Sequence, residues 1–231
     1  MTALLRFTFL RRAFALFACA LLLAACDKAP DFKNLDITGN EQFGSDFSLP
    51  DTTGKTRTLA DFKGKAVVLF FGYTHCPDVC PTTLAELSQA MQKLGDKSKN
   101  VQVLMVTVDP SRDTAPLLGQ YVAAFNLAYI GLRPASDAQL AQVAKDFRVY
   151  YAKAQGKTPG DYTMDHTAAS YVFDKDGKLR LFARDGQGVE PWVHDLKILI
   201  DKKAAKMAAS RFSLRRTQAL ASSDRARAAS P

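Results

Sequence analysis

What this chain has little of narrows it first. It carries only four cysteines and three histidines in 231 residues, and no stretch is repeated. No uncharged apolar run approaches the ~20 residues a membrane-spanning helix needs; the run near the start, Ala13 to Ala25, has thirteen. The body of the chain also lacks a surplus of charge. The net charge of +8 comes from the two ends, where Arg6, Arg11 and Arg12 face no acid and the residues after Asp201 set eight basic groups against Asp224. Between residues 26 and 201 acidic and basic side chains nearly balance, which excludes a nucleic-acid reader.

Cysteine scarcity is as informative. Cys19 lies in the apolar run and Cys26 directly after it, so the folded part holds only Cys76 and Cys80. Two thiols are too few for an iron-sulfur cluster. In an oxidising compartment they leave a disulfide, a redox couple or a metal site.

Three arginines followed by a short apolar run read as a signal peptide over residues 1–25, cleaved rather than inserted. Leu23-Ala24-Ala25-Cys26 resembles a lipobox, which makes Cys26 the expected lipidation site; ordinary cleavage with Cys26 as a stray thiol is the plainer reading. Two acyl chains give a stable membrane anchor, as one does not. Asp27 resembles an inner-membrane retention signal, so the expected location is the periplasmic face of a bacterial inner membrane, lipid-anchored. Residues 26–43 are polar and read as a tether. Residues 202–231, rich in Ala, Ser and Arg, read as a basic disordered tail with some attraction to anionic lipid.

The remainder, residues 44–201, carries alternating signals for strand and helix. Ala66 to Phe71 is a continuous apolar run suited to a strand buried on both faces. Leu84, Leu87, Met91 and Leu94 recur at helical spacing between Pro81 and Gly95, and Val101 to Asp109 reads as the next strand. Helices over about 114–125 and 137–147 flank a short strand near 129–132. Asp176-Gly177 marks a hairpin within Ser170 to Phe182, and Glu190-Pro191 opens a last helix. Two short extended pieces around Gly54 precede all of these. The pattern predicts one α/β domain, thioredoxin-like, with a mixed central sheet flanked by helices.

Cys76-Pro77-Asp78-Val79-Cys80-Pro81 falls between the first buried strand and its helix, where N–H groups and the helix dipole favour thiolates. Three intervening residues set the two sulfurs one helical turn apart if the segment is helical, which favours a metal without excluding a disulfide. A third ligand must come from a histidine. His75, continuing the strand, would point away from Cys76. His194 in the last helix reads as a surface or packing residue. His166, in Asp161 to Thr167, which reads as a polar loop entering the hairpin strand, is open between ligand and ordinary structural histidine. Two thiolates and an imidazole suit Cu(I), and Cu(II) with an added oxygen donor, whereas zinc wants a fourth ligand.

The blocks FFGYTHCPDVCPTTLAEL, VTVDPSRDT and DHTAASYVFDKDGKL, in this order, resemble those of the Sco/SenC family over roughly residues 43–200. The resemblance implies a thioredoxin-like fold and copper held by Cys76, Cys80 and His166. It also implies a metallochaperone for the CuA centre of cytochrome c oxidase, with the oxidase subunit that carries CuA as partner, alongside other periplasmic copper or thiol-redox proteins. The basic C-terminal extension departs from the family pattern.

The alternative is a membrane-anchored thiol-disulfide reductase acting on cysteines of the oxidase or of another periplasmic protein. Against it stand the spacing of the pair and the missing proline before Tyr171, since Pro159 is too early. A peroxiredoxin-like peroxidase fits the double-cysteine block less well. Neighbouring residues have plain readings: Asp78 satisfies the helix start, Asp165 forms a turn, and Phe70, Phe71 and Tyr73 are core and rim. Asp109 and Asp113 mark a strand end and a helix start.

Overall fold

The computed structural model describes residues 30–44, 46–156 and 161–201. The expected signal peptide, Cys26 and the basic tail lie outside the described residues.

Ten strands form along the described chain: β1 (Leu35–Asp36), β2 (Leu49–Pro50), β3 (Thr56–Arg57), β4 (Ala66–Gly72), β5 (Val101–Thr107), β6 (Ile130–Leu132), β7 (Tyr151–Gln155), β8 (Tyr162–His166), β9 (Ala169–Phe173) and β10 (Leu179–Arg184). The helices are α1 (Val79–Leu94), α2 (Ala115–Phe125), α3 (Asp137–Asp146) and α4 (Val189–Ile200). Six strands make one mixed sheet in the order β1-β10-β9-β4-β5-β6. β4, β5 and β6 run parallel, and β9 turns the sheet antiparallel. This is the thioredoxin-like α/β arrangement expected from the sequence.

Every residue of β4 is buried, as a strand at the centre of a sheet covered on both faces must be. Parallel pairing with β5 in the register Ala66↔Val101 to Gly72↔Thr107 requires a crossover, and α1 supplies it. On α1 the buried side chains Cys80, Thr83, Leu84, Leu87, Ala90, Met91 and Leu94 follow helical spacing. The Thr114 hydroxyl caps α2 by accepting from the Leu117 N–H, and Ser136 caps α3 by accepting from Gln139. At the β9–β10 turn the Asp174 carboxylate accepts from the N–H groups of Asp176 and Lys178, and Gly177 takes φ +75°.

Two expectations change. From residue 31 on, the stretch read as a tether is part of the sheet edge. β1 pairs with β10, and Ile37 is buried. The Asp195 carboxylate accepts from the N–H groups of Lys33 and Asn34, both at 2.9 Å. A buried aspartate on a distant helix supplies the partner that local polarity concealed. The second change is at residues 162–166, read as a loop. They form β8, paired with β7 in a two-stranded arm outside the main sheet. Asp165 therefore sits in a strand opposite Ala152 and not in a turn. The arm is only half-buried, and the alternation of β8, Tyr162 and Met164 inward against Thr163 and Asp165 outward, is too short and too polar to stand out from a loop.

Candidate metal centre

The site lies beyond the carboxyl end of β4. The strand stops at Gly72, and the loop Tyr73–Asp78 carries the chain into α1. Cys76 lies in that loop, with its N–H bonded to the Tyr73 carbonyl, and Cys80 is in the first turn of the helix. Only Cys80 is thus helical, which shortens the helical relation expected for the pair. Gly72 is required by close approach: a Cβ there would meet Cys80 Sγ at 3.0 Å and the Phe70 ring at 2.8 Å.

The Asp78 carboxylate makes no capping hydrogen bond, contrary to expectation. The Cys76 sulfur takes that place, accepting from the Cys80 N–H at 3.4 Å. A sulfur held at a helix N-terminus is stabilised as thiolate. The Cys76 thiol is accordingly brought down to about 4, chiefly by the hydrogen bond from the Cys80 thiol, with His166 and backbone N–H groups adding to it against burial. Cys80 moves the opposite way: its bond to Cys76 and complete burial hold it protonated.

His166 ends β8 and reaches back over the cysteines. Its Nδ1 lies 3.0 Å from the Thr167 carbonyl, which only accepts, so the ring proton belongs on Nδ1. That leaves Nε2 facing Cys80 Sγ at 3.6 Å. Burial disfavours the protonated ring, but the bonds to Cys76 and Thr167 outweigh it and raise its pKa.

The two sulfurs and one imidazole nitrogen lie within 4.8 Å of one another. Among the described residues both cysteines are free thiols. The structure thus gathers the three residues singled out from sequence and leaves the other two histidines outside. His75 is exposed, 3.0 Å from the Thr74 hydroxyl, because the strand ends before it rather than by alternation. His194 is bonded to Asp195 on α4. Two soft sulfurs and an aromatic nitrogen, largely removed from water, match the preferences of a soft, low-coordinate cation.

Sequence reasoning missed Asp185. It follows β10, with its N–H on the Ala168 carbonyl and Oδ1 accepting from the Ser170 hydroxyl at 2.9 Å. Oδ2 is buried without a hydrogen-bond partner. Burial pushes this carboxyl up to about 7, although Ser170 and His166 pull it down. An aspartate after a strand looks like any loop residue, so no local signal marks it.

The displaced Cys76 thiol gives one expected outcome. In the reduced, metal-free chain, alkylation by iodoacetamide, followed by peptide mass spectrometry, falls on Cys76. Its rate stays flat from about pH 8 to about pH 5 because the thiolate persists down to about 4. A ~10-fold decline per unit below pH 8 marks an ordinary thiol instead.

A thioredoxin-like sheet with a CxxxC loop at the end of its central strand and a histidine brought over it from an outlying hairpin defines a class of thiol-imidazole metal-site proteins. The family comparison is specific: the SCO1/SenC model matches residues 36–201, and the chain belongs to that family. It is 42% identical over 134 residues to the cattle protein "Protein SCO2 homolog, mitochondrial", covering 57% of this chain and 50% of that one. It is 33% identical to a SCO2-like protein of Rickettsia felis, covering 65% and 74%. Among solved structures, Bradyrhizobium japonicum ScoI with copper bound is 40% identical with a TM-score of 0.59, covering 68% of this chain and 99% of that one. The chain spans about half the length of the cattle relative it matches.

These relatives correct the expected location. The matched SCO proteins of cattle, mouse, yeast and human are named as mitochondrial, which overturns the assignment to the periplasmic face of a bacterial inner membrane through a lipid anchor. The physical reason is that an arginine-bearing, acid-free N-terminal segment is common to export signals and organelle transit peptides, so its composition does not choose between compartments.

Proposed function

We propose that this protein is a copper metallochaperone that takes one Cu(I) between Cys76 Sγ, Cys80 Sγ and His166 Nε2 and serves assembly of the CuA centre of cytochrome c oxidase. The observation that carries the reading is the convergence of three soft donors within 4.8 Å at the end of the central strand. The copper-bound relative at 40% identity supports it. The Cys76 thiolate is ready to donate an electron pair, while Cys80 and the His166 ring, whose pKa is raised, give up their protons on loading. The exposed edge of the site lies at the His166 side, since both cysteines are buried. Copper is here the cargo, and its transfer to the oxidase subunit that carries CuA is a ligand exchange begun at that edge.

Anaerobic titration of the reduced full chain with Cu(I), followed by X-ray absorption, tests the reading. The expected result is one copper per chain with two sulfur ligands and one nitrogen. Nonstoichiometric binding, or a first shell without nitrogen, would overturn it.

The opposed displacement of the two thiols favours a second reading, a thiol-disulfide reductase. In it the Cys76 thiolate attacks a partner disulfide, and Cys80, once deprotonated, resolves the mixed disulfide. The two readings share the cysteines, and an internal disulfide would remove both sulfurs as copper ligands, so oxidation would gate loading.

A further inference from the structure

The second sequence block, VTVDPSRDT, supplies no ligand to the site. Its turn, Asp109 to Asp113, nevertheless touches both halves of it. On the cysteine side Asp113 is completely buried. Its carboxylate accepts from the Thr74 N–H at 3.1 Å, the Thr74 hydroxyl at 2.6 Å and the Thr107 hydroxyl at 2.5 Å. Thr74 stands two residues before Cys76, so the start of the cysteine loop is tied to the end of β5.

On the histidine side the contacts are of a different kind. Arg112 Nε donates to Asp109 Oδ2 at 2.5 Å, and Arg112 NH1 donates to the Tyr162 carbonyl at 2.8 Å. The Tyr162 hydroxyl returns to Asp109 at 3.0 Å. The guanidinium carbon lies 3.6 Å from the centre of the Tyr162 ring and 5.7 Å from that of Tyr73. Lys153, on the paired strand β7, places its ammonium 4.6 Å from the Tyr162 ring. Tyr73 in turn meets the His166 ring edge-on, with centroids 6.0 Å apart.

The arm needs such a fixture. β7 and β8 pair as strands only with each other, outside the main sheet, and two isolated strands are marginal in water. Met164 is the buried side chain of the arm, and Tyr151 and Tyr162 are partly buried against the core. Yet His166 must be held within a few tenths of an ångström to complete a three-donor site.

We infer that the Asp109–Asp113 turn is the gauge of the metal site, with the Asp109–Arg112–Tyr162 latch holding the His166 arm at the distance from the cysteine loop that Asp113 fixes. This rests on the three-ligand reading above. Arg112 and Tyr162 are positioning residues, acting on the cargo through His166. Lysine cannot replace Arg112, because the contact uses two N–H groups in a fixed plane and a ring face at once.

The test compares the reduced full chain with Arg112→Ala, Arg112→Lys and Tyr162→Phe. Cu(I) affinity is read by competition with bathocuproine disulfonate, and the first shell by X-ray absorption. Arg112→Lys keeps a cation beside Asp109 and so guards against a variant that fails to fold. Both arginine variants are expected to weaken Cu(I) binding by roughly 10–100-fold, as outer-shell changes do, and to lose the nitrogen ligand while keeping two sulfurs. Tyr162→Phe retains the ring stack and the carbonyl bond but loses the hydroxyl bond to Asp109, and is expected to weaken Cu(I) binding less than either arginine variant. In the metal-free arginine variants, amide hydrogen exchange rises across Tyr151–Gln155 and Tyr162–His166 and stays unchanged in β4. A merely structural role would lower the melting temperature without stripping the nitrogen. Arginine variants with the parent affinity and one nitrogen would overturn the latch and leave the copper reading intact. A parent protein whose copper carries no nitrogen would overturn the copper reading and the latch with it.

Discussion

Cys80→Ser is expected to weaken Cu(I) binding by on the order of 100–1,000-fold, more than the ~10–100-fold typical of residues outside the first shell. Cys80 is fully buried and faces His166 Nε2 at 3.6 Å. Serine is the informative replacement because it changes the donor rather than the shape. Its oxygen is smaller than sulfur and still accepts the Tyr73 N–H that now points at Cys80 Sγ. The fold should therefore persist, as thermal unfolding of the metal-free protein would verify. A hydroxyl is a hard donor that stays protonated, and Cu(I) prefers thiolate. Competition with bathocuproine disulfonate gives the number. Less than a ~10-fold change would mean that Cys80 is not a ligand, since even an outer-shell residue costs that much. The same substitution at Cys76 should also remove the iodoacetamide-reactive thiolate, separating the roles of the two cysteines.

The second large effect concerns stability and has a definite sign. Asp185 carries a carboxyl raised by burial from 3.8 to about 7, so ionisation opposes folding. Below pH about 4 the group is protonated whether the chain is folded or not, and it costs nothing. The penalty grows as pH rises from about 4 and levels off above about 7, where it reaches on the order of 4 kcal/mol at 1.36 kcal/mol per unit. Asp185→Asn keeps an oxygen for the Ser170 hydroxyl and removes the charge. Its gain in stability over the parent is expected to be near zero at pH 4 and largest at pH 7.5, read from guanidinium unfolding of the reduced protein. A gain independent of pH, or a loss at pH 7.5, would show that the carboxylate is stabilised by something other than Ser170. The Asp185 carboxylate also favours the protonated His166 ring and offsets part of what burial does to it.

Much of the fold was legible because its signals are local. Seven buried residues in a row make β4, and regular apolar spacing makes α1. Asp176-Gly177 announces the β9–β10 hairpin. The helix start expected at Asp113 is capped by Thr114 instead, because the Asp113 carboxylate is taken up by Thr74 and Thr107. The site was legible in part for the same reason, since its two cysteines belong to one loop. His166 was not, because nothing in its own segment distinguishes a ligand from a surface histidine. Only the resemblance to a family singled it out.

What the sequence by itself determined is therefore the helices and the inner strands of the main sheet, the position of the cysteine pair between strand and helix, and the class of chemistry two thiols and an imidazole allow. Tertiary structure decided the rest. It folded residues 31–43 onto the sheet edge through Asp195, and it turned an expected loop into the β7–β8 arm. It closed the 86-residue separation between Cys80 and His166 to 3.6 Å. It placed Asp185 behind the site and set Arg112 against Tyr162. Each of these is a contact between residues far apart in the chain. Periodicity and capping rules report what a segment does with its neighbours, whereas the reach of a distant carboxylate or ring depends on how the whole sheet is assembled.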